Sequence, residues 1–125
     1  MPKCILVVDD EERIRSLLKA YLTQEGFRVV TAANGREALS VAGRERPDLI
    51  ILDIMMPRLD GYMVGKLTKD HPRTRGIPIL VISALREVSR LFTATVQVDG
   101  FLNKPFAPEE LLAFVAKILA HPHVL

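Results

Sequence analysis

The 125-residue sequence predicts an α/β fold, a doubly wound, five-stranded parallel sheet in the order 2-1-3-4-5 with five helices. Three observations lead there. Short apolar runs recur along the chain, and stretches with apolar residues at helical spacing separate them. Strands that alternate with helices imply parallel pairing, right-handed crossovers and a sheet covered on both faces. The runs Ile5-Leu6-Val7-Val8 and Leu49-Ile50-Ile51-Leu52 are the most purely apolar, as central strands buried on two faces must be.

The elements follow in order. The first strand is expected over 4–8, and Ile14, Leu17, Leu18, Tyr21 and Leu22 mark a helix over 11–25 that Gly26 stops. The second strand is expected over 27–31, and Asn34 is placed to cap a helix over 35–45. The third strand, 49–52, closes on Asp53. A loop with Pro57 and Gly61 leads into a helix over 61–70, and a polar loop bounded by Pro72 and Pro78 precedes the fourth strand, 78–82. A fourth helix is expected over 85–96 and a fifth strand over 99–102. Pro108, Glu109 and Glu110 open the last helix, 108–120, with proline in the first turn and acids near the positive end of the dipole. This is the flavodoxin-like arrangement, and the whole of 1–125 reads as one domain.

Composition sets bounds on function. No apolar run approaches the roughly 18–20 residues of a membrane span. Met1-Pro2-Lys3-Cys4 leads straight into the first strand, so no signal peptide is expected. The single cysteine, Cys4, has no internal partner and reads as a small buried hydrophobe, so a cytoplasmic setting is expected. The net charge is +2, and Lys66, Lys69, Arg73, Arg75, Arg86 and Arg90 make a loosely basic middle without interleaved aromatics. That pattern reads as solvated surface, with no nucleic-acid or membrane contact. His71, His121 and His123 read as solvent-facing loop and tail residues.

The strand ends carry the chemistry. In a sheet of this order the ligand crevice lies beyond the carboxyl ends of strands one and three, where the strand order reverses. Strand one ends in Asp9 and Asp10, strand three in Asp53, strand four in Ser83 and strand five in Lys104, whereas strand two contributes nothing evident. Each alone has an ordinary explanation: Asp10 as a helix cap, Ser83 as a turn residue, Lys104 as a solvated cation. Their coincidence on one rim does not. Three carboxylates in one crevice repel, and a hard divalent cation relieves them; oxygen donors without Cys or His favour Mg²⁺. Lys104 and that cation would define an anion site, Ser83 could donate to a phosphoryl oxygen, and Asp53 is best placed as the nucleophile.

These motifs, VVDDEE, LDIMMPRLDG, VISA and GFLNKPF, together resemble the receiver domains of bacterial two-component response regulators over nearly the whole chain. The resemblance implies that Asp53 accepts phosphate from a sensor histidine kinase or phosphotransfer protein. It implies Mg²⁺ held by Asp10, Asp53 and the backbone carbonyl of Met55, with Asp9 acting through water. It further implies that Lys104 pairs with the phosphate, that Ser83 and Phe101 form the switch, and that the Lys104–Pro105 bond is cis. Output is then expected on the face of the fourth helix, fifth strand and fifth helix, through a protein target or homodimer. The switch would catalyse only its own phosphorylation and dephosphorylation.

The chain departs from the commonest pattern at several places. Ser83 stands where threonine is frequent, Phe101 where tyrosine is, and Gln97 where a small residue often ends the fourth helix. Met55 and Leu85 flank the phosphate site as bulky apolar residues, from which a longer phosphorylated lifetime is expected. Competing readings are weaker. A haloacid-dehalogenase-like phosphatase needs a second aspartate two residues after the nucleophile, where this chain has Met55. A flavin-binding module needs a hydroxyl- and glycine-rich loop where this chain has DDEE. A degenerate, purely structural receiver is disfavoured because every site residue is present.

Overall fold

The computed structural model describes residues 2–54, 69–83 and 99–120. Five strands, β1 (Cys4–Val8), β2 (Arg28–Ala32), β3 (Leu49–Ile54), β4 (Ile79–Ser83) and β5 (Gly100–Asn103), form one sheet in the order β2-β1-β3-β4-β5. All four pairings are parallel. The fold is therefore the doubly wound, flavodoxin-like one. Helices α1 (Glu12–Gln24), α2 (Gly35–Glu45) and α3 (Pro108–Ala120) are described in full. Most of the helix expected over 61–70 and all of that over 85–96 lie outside the described residues, as do Met55, Pro57, Gly61, Leu85 and Gln97.

The strands alternate their side chains between two cores, as a period of two dictates. Leu6, Val8, Ile50, Leu52, Ile79 and Val81 pack on the α2 side with Ala38, Val41 and Ala42. Ile5, Val7, Leu49, Ile51, Leu80 and Ile82 pack on the other side, with Leu18 and Leu22 of α1 and Leu111, Val115 and Ile118 of α3. Every residue of β1 and β4 is buried, so these runs could not alternate with polar residues. Gly100 lets α3 approach closely: a Cβ there would lie 3.3 Å from Leu80 Cδ1 and 3.4 Å from Ile118 Cδ1.

Local signals set the helix ends. Gly26 takes φ +94°, and the amides of Gly26 and Phe27 donate to the carbonyls of Thr23 and Leu22 at 3.0 and 3.2 Å, closing α1. Asn34 Oδ1 accepts from the Glu37 amide at 2.9 Å while Glu37 Oε2 accepts from the Ala33 amide at 3.3 Å, a reciprocal cap for α2. That helix ends on Arg46 at φ +46°, a left-handed position more often given to glycine. At the start of α1 the cap position belongs to Glu11, which makes no side-chain cap, and not to Asp10. Four strands run beyond their expected ends: β2 continues to Ala32, β3 through Asp53 to Ile54, β4 through Ser83 and β5 through Asn103. Pairing with the neighbouring strand carries regular backbone past those ends.

Candidate phosphoacceptor site

The carboxyl rim is set by register. Val8 pairs with Leu52 across β1 and β3, so Asp9 and Asp53 each follow the last paired residue at the same edge of two adjacent strands. On the other side of β3, Asp53 pairs with Ile82 and Ile54 with Ser83, and Ser83 pairs with Asn103 of β5. The Lys104 amide donates to the Ser83 carbonyl at 3.0 Å, which extends this pairing to the residue after β5. The Lys104–Pro105 peptide bond is cis. Asp9, Asp10, Asp53, Ser83 and Lys104 thus all fall on one edge of the sheet, around the point where strand order reverses.

Their environments differ. Asp9 is buried, 2% exposed, and Asp10 beside it is exposed. The Asp9 amide donates to the Ala32 carbonyl at 3.2 Å, and its Oδ1 accepts from the Glu11 amide at 2.9 Å. Strand two, to which the sequence assigned no part, therefore supplies a carbonyl that anchors the acidic turn. Ser83 is buried at 1% exposure, and Phe101 is half-buried against the α2-side core. Beside Lys104 an open groove of about 410 Å³ is lined by Ile14, Leu17, Tyr21, Pro105 and Phe106, and Leu17 is 46% exposed.

The donor chemistry fits a hard cation. Asp9 and Asp10 bring carboxylate oxygens to a rim that β3 extends with Asp53, and no His or Cys stands on these strand ends. Asp53 is described by its backbone position. Among the described side chains, no three His, Cys, Asp or Glu residues group to hold a metal. No described helix is long and apolar enough to cross a membrane.

Residues 5–116 match the response regulator receiver domain. The chain belongs to this family. Among its relatives, a probable transcriptional regulator, ycf27 of Pyropia yezoensis, is 44% identical over 92% of this chain and 46% of its own length. The chain thus spans about half the length of the relatives it matches. Among solved structures, chemotaxis protein CheY4 of Vibrio cholerae superimposes with a TM-score of 0.85 at 34% identity, covering 94% of this chain and 99% of that one. TrrA of Thermotoga maritima, solved in complex with Mg²⁺-BeF, superimposes with a TM-score of 0.80 at 38% identity, covering 93% of this chain and 98% of that one. Receiver domains are phosphoaccepting signalling switches rather than classical enzymes, and response regulators partner with histidine kinases.

Two side chains of this receiver domain escaped the sequence reading. Arg15 of α1 turns back to donate to the Asp9 carbonyl at 2.6 Å. Lys69, expected as solvated surface, is half-buried and donates to the carbonyls of Ile77 and Arg75 at 2.9 and 3.3 Å. Burial pushes its amine below the ordinary lysine value, against the attraction of Asp99. Both act on backbone carbonyls 6 or 8 residues away, out of helical register, and no motif spacing marks such targets.

Proposed function

We propose that Asp53 is the phosphoacceptor of a Mg²⁺-dependent switch fed by a kinase phosphohistidine. An Asp53 carboxylate oxygen forms the new O–P bond as the P–N bond to the donor imidazole breaks, and the imidazole nitrogen leaves with that bonding pair. Asp10, Asp53 and the Met55 carbonyl would hold Mg²⁺ directly, with Asp9 acting through water; the cation would neutralise charge on the transferring phosphoryl oxygens. Lys104 supplies a second, fixed positive charge, and the Ser83 hydroxyl donates to a phosphoryl oxygen once the group has arrived. Phosphorylation adds roughly −1.5 to −2 charge. Ser83 and Phe101 would carry that change towards β5 and the C-terminal helix, where a protein target or a second copy reads it. Receiver-level action of this kind needs no nucleic-acid or membrane contact and suits the cytoplasm.

The observation that supports this reading is the register that sets Val8 beside Leu52, one residue before Asp9 and Asp53, while the Lys104 amide is tied to the Ser83 carbonyl. The runner-up, a haloacid-dehalogenase-like phosphatase, lacks its second aspartate because that position is Met55. Incubation with a small-molecule acyl phosphate and Mg²⁺, followed by intact mass and amide NMR, tests the proposal. A single added phosphoryl group is expected, with shifts at Ser83 and Phe101 and none of either in Asp53→Asn. Undiminished phosphorylation of Asp53→Asn would sink it.

A further inference from the structure

Arg15 has no part in the chemistry above, and it stands where a helix does not favour a cation. It lies in the opening turns of α1, near the positive end of the helix dipole. Its guanidinium Nη1 nevertheless reaches back six residues to the Asp9 carbonyl, at 2.6 Å. Asp9 is held twice more, by the bond from its amide to Ala32 and by the bond from the Glu11 amide to its Oδ1. The turn that carries both rim carboxylates is thus fastened from β2, from within itself and from α1.

We infer that Arg15 is a positioning residue for the divalent cation, holding the Asp9–Glu11 turn in its cation-ready shape before the cation arrives. This rests on the reading of the rim as a Mg²⁺ site. A guanidinium suits this role because it stays protonated and its planar fork directs donors along fixed lines. Its charge works the other way, because a permanent cation near a Mg²⁺ site repels the ion. Geometry and charge therefore make opposite forecasts. If Arg15 acted by charge alone, removing it would tighten Mg²⁺ binding and lysine would leave it unchanged. If it acts by position, both replacements weaken binding, because the shorter, non-planar lysine head does not reproduce the contact. Residues that orient metal ligands typically contribute about 10–100-fold to affinity.

The test is a Mg²⁺ titration of the metal-free chain followed by amide NMR, for wild type, Arg15→Lys and Arg15→Gln, with hydrogen exchange at the Glu11 amide measured before metal is added. Both variants are expected to raise the Mg²⁺ dissociation constant by about tenfold and to speed exchange at Glu11. A merely structural role would lower the melting temperature without moving the dissociation constant of the folded protein. An unchanged constant in both variants, or a tighter one in Arg15→Gln, overturns the inference while leaving the Mg²⁺ site standing. A wild-type chain with no Mg²⁺ response overturns the site and the inference with it.

Discussion

Aspartates crowd both ends of the sheet, and they do different things. At the amino end, Asp48 Oδ2 accepts from the Cys4 amide at 2.8 Å, while the Asp48 amide donates to the Cys4 carbonyl at 2.7 Å. Asp99 repeats the arrangement on Ile79: Oδ2 accepts from its amide at 2.9 Å, and the Asp99 amide donates to its carbonyl at 2.8 Å. Each clamps the first residue of a neighbouring strand, whose amide would otherwise lack a ladder partner at the sheet's margin. At the carboxyl end, Asp9 and Asp10 follow one another directly and Asp53 lies one strand away. There Asp9 and Asp10 stand side by side, Asp9 buried with its Oδ1 accepting from the Glu11 amide and Asp10 exposed. The lesson is that one residue type serves at the first rim by accepting from strand amides, and at the second, where Asp9 also accepts from Glu11, is proposed to serve by its charge. Stability should follow hydrogen-bonding capacity at the first rim and function should follow charge at the second.

Substitutions separate the two roles. The largest effect is expected from Asp10→Ala, which should abolish the stabilisation that Mg²⁺ gives by mass action, about 2.7 kcal/mol at a hundredfold excess over the dissociation constant. Thermal melts with and without Mg²⁺ read this, and the metal-free melt should hardly move because removing one of two adjacent carboxylates relieves repulsion. Next come Asp48→Ala and Asp99→Ala. Each leaves a buried strand amide without its acceptor, a loss of about 1–3 kcal/mol in urea unfolding, with the Mg²⁺ response intact. Asparagine sharpens the contrast, since Asp48→Asn keeps an acceptor and should restore most of that stability, whereas Asp10→Asn should still lack the Mg²⁺ response. Equal tolerance of asparagine at both rims would break the distinction.

Smaller effects lie away from the aspartates. Arg46→Gly relieves a left-handed backbone and should stabilise by about 1 kcal/mol in the same unfolding assay. Replacing Lys69 removes its bonds to the Ile77 and Arg75 carbonyls at every pH and also changes the pH dependence. Its folded pKa lies below the unfolded one, so between the two the unfolded chain binds more protons and stability rises with pH. That contribution is complete above the ordinary lysine value of about 10.4 and lost as pH falls through the folded value. The stability difference between wild type and Lys69→Met should therefore grow in favour of wild type across that alkaline window. Cys4, whose thiol burial pushes up, runs oppositely but is common to both proteins and cancels. A flat difference would contradict the half-buried amine.

Much of the framework was readable before any coordinates. Apolar runs gave the strands, their alternation with helical stretches gave the parallel order, and Asp9, Asp10, Ser83 and Lys104 could be placed at strand ends by counting. What counting missed depends on three-dimensional neighbours. Asp48 and Asp99 reach amides 44 and 20 residues away, a choice made by strand register and not by local spacing. Lys69 looked like a solvated cation, and Arg15 drew no reading at all, because their targets are carbonyls, which every residue has. Asp10 was the natural helix cap by type, yet the turn that Asp9 closes on Glu11 shifts the cap one residue on.

The sheet also acts as a partition. Leu6, Ile50 and Ile79 serve one core, while Ile5, Leu49 and Leu80 serve the other, with a continuous hydrogen-bonded wall between. Substitutions that share no neighbours tend to add in their effects on stability. Changes beneath α2 should thus accumulate without disturbing the packing beneath α1 and α3, and the reverse. A lineage could remodel one face while the opposite half drifts at its own pace, both resting on the same sheet.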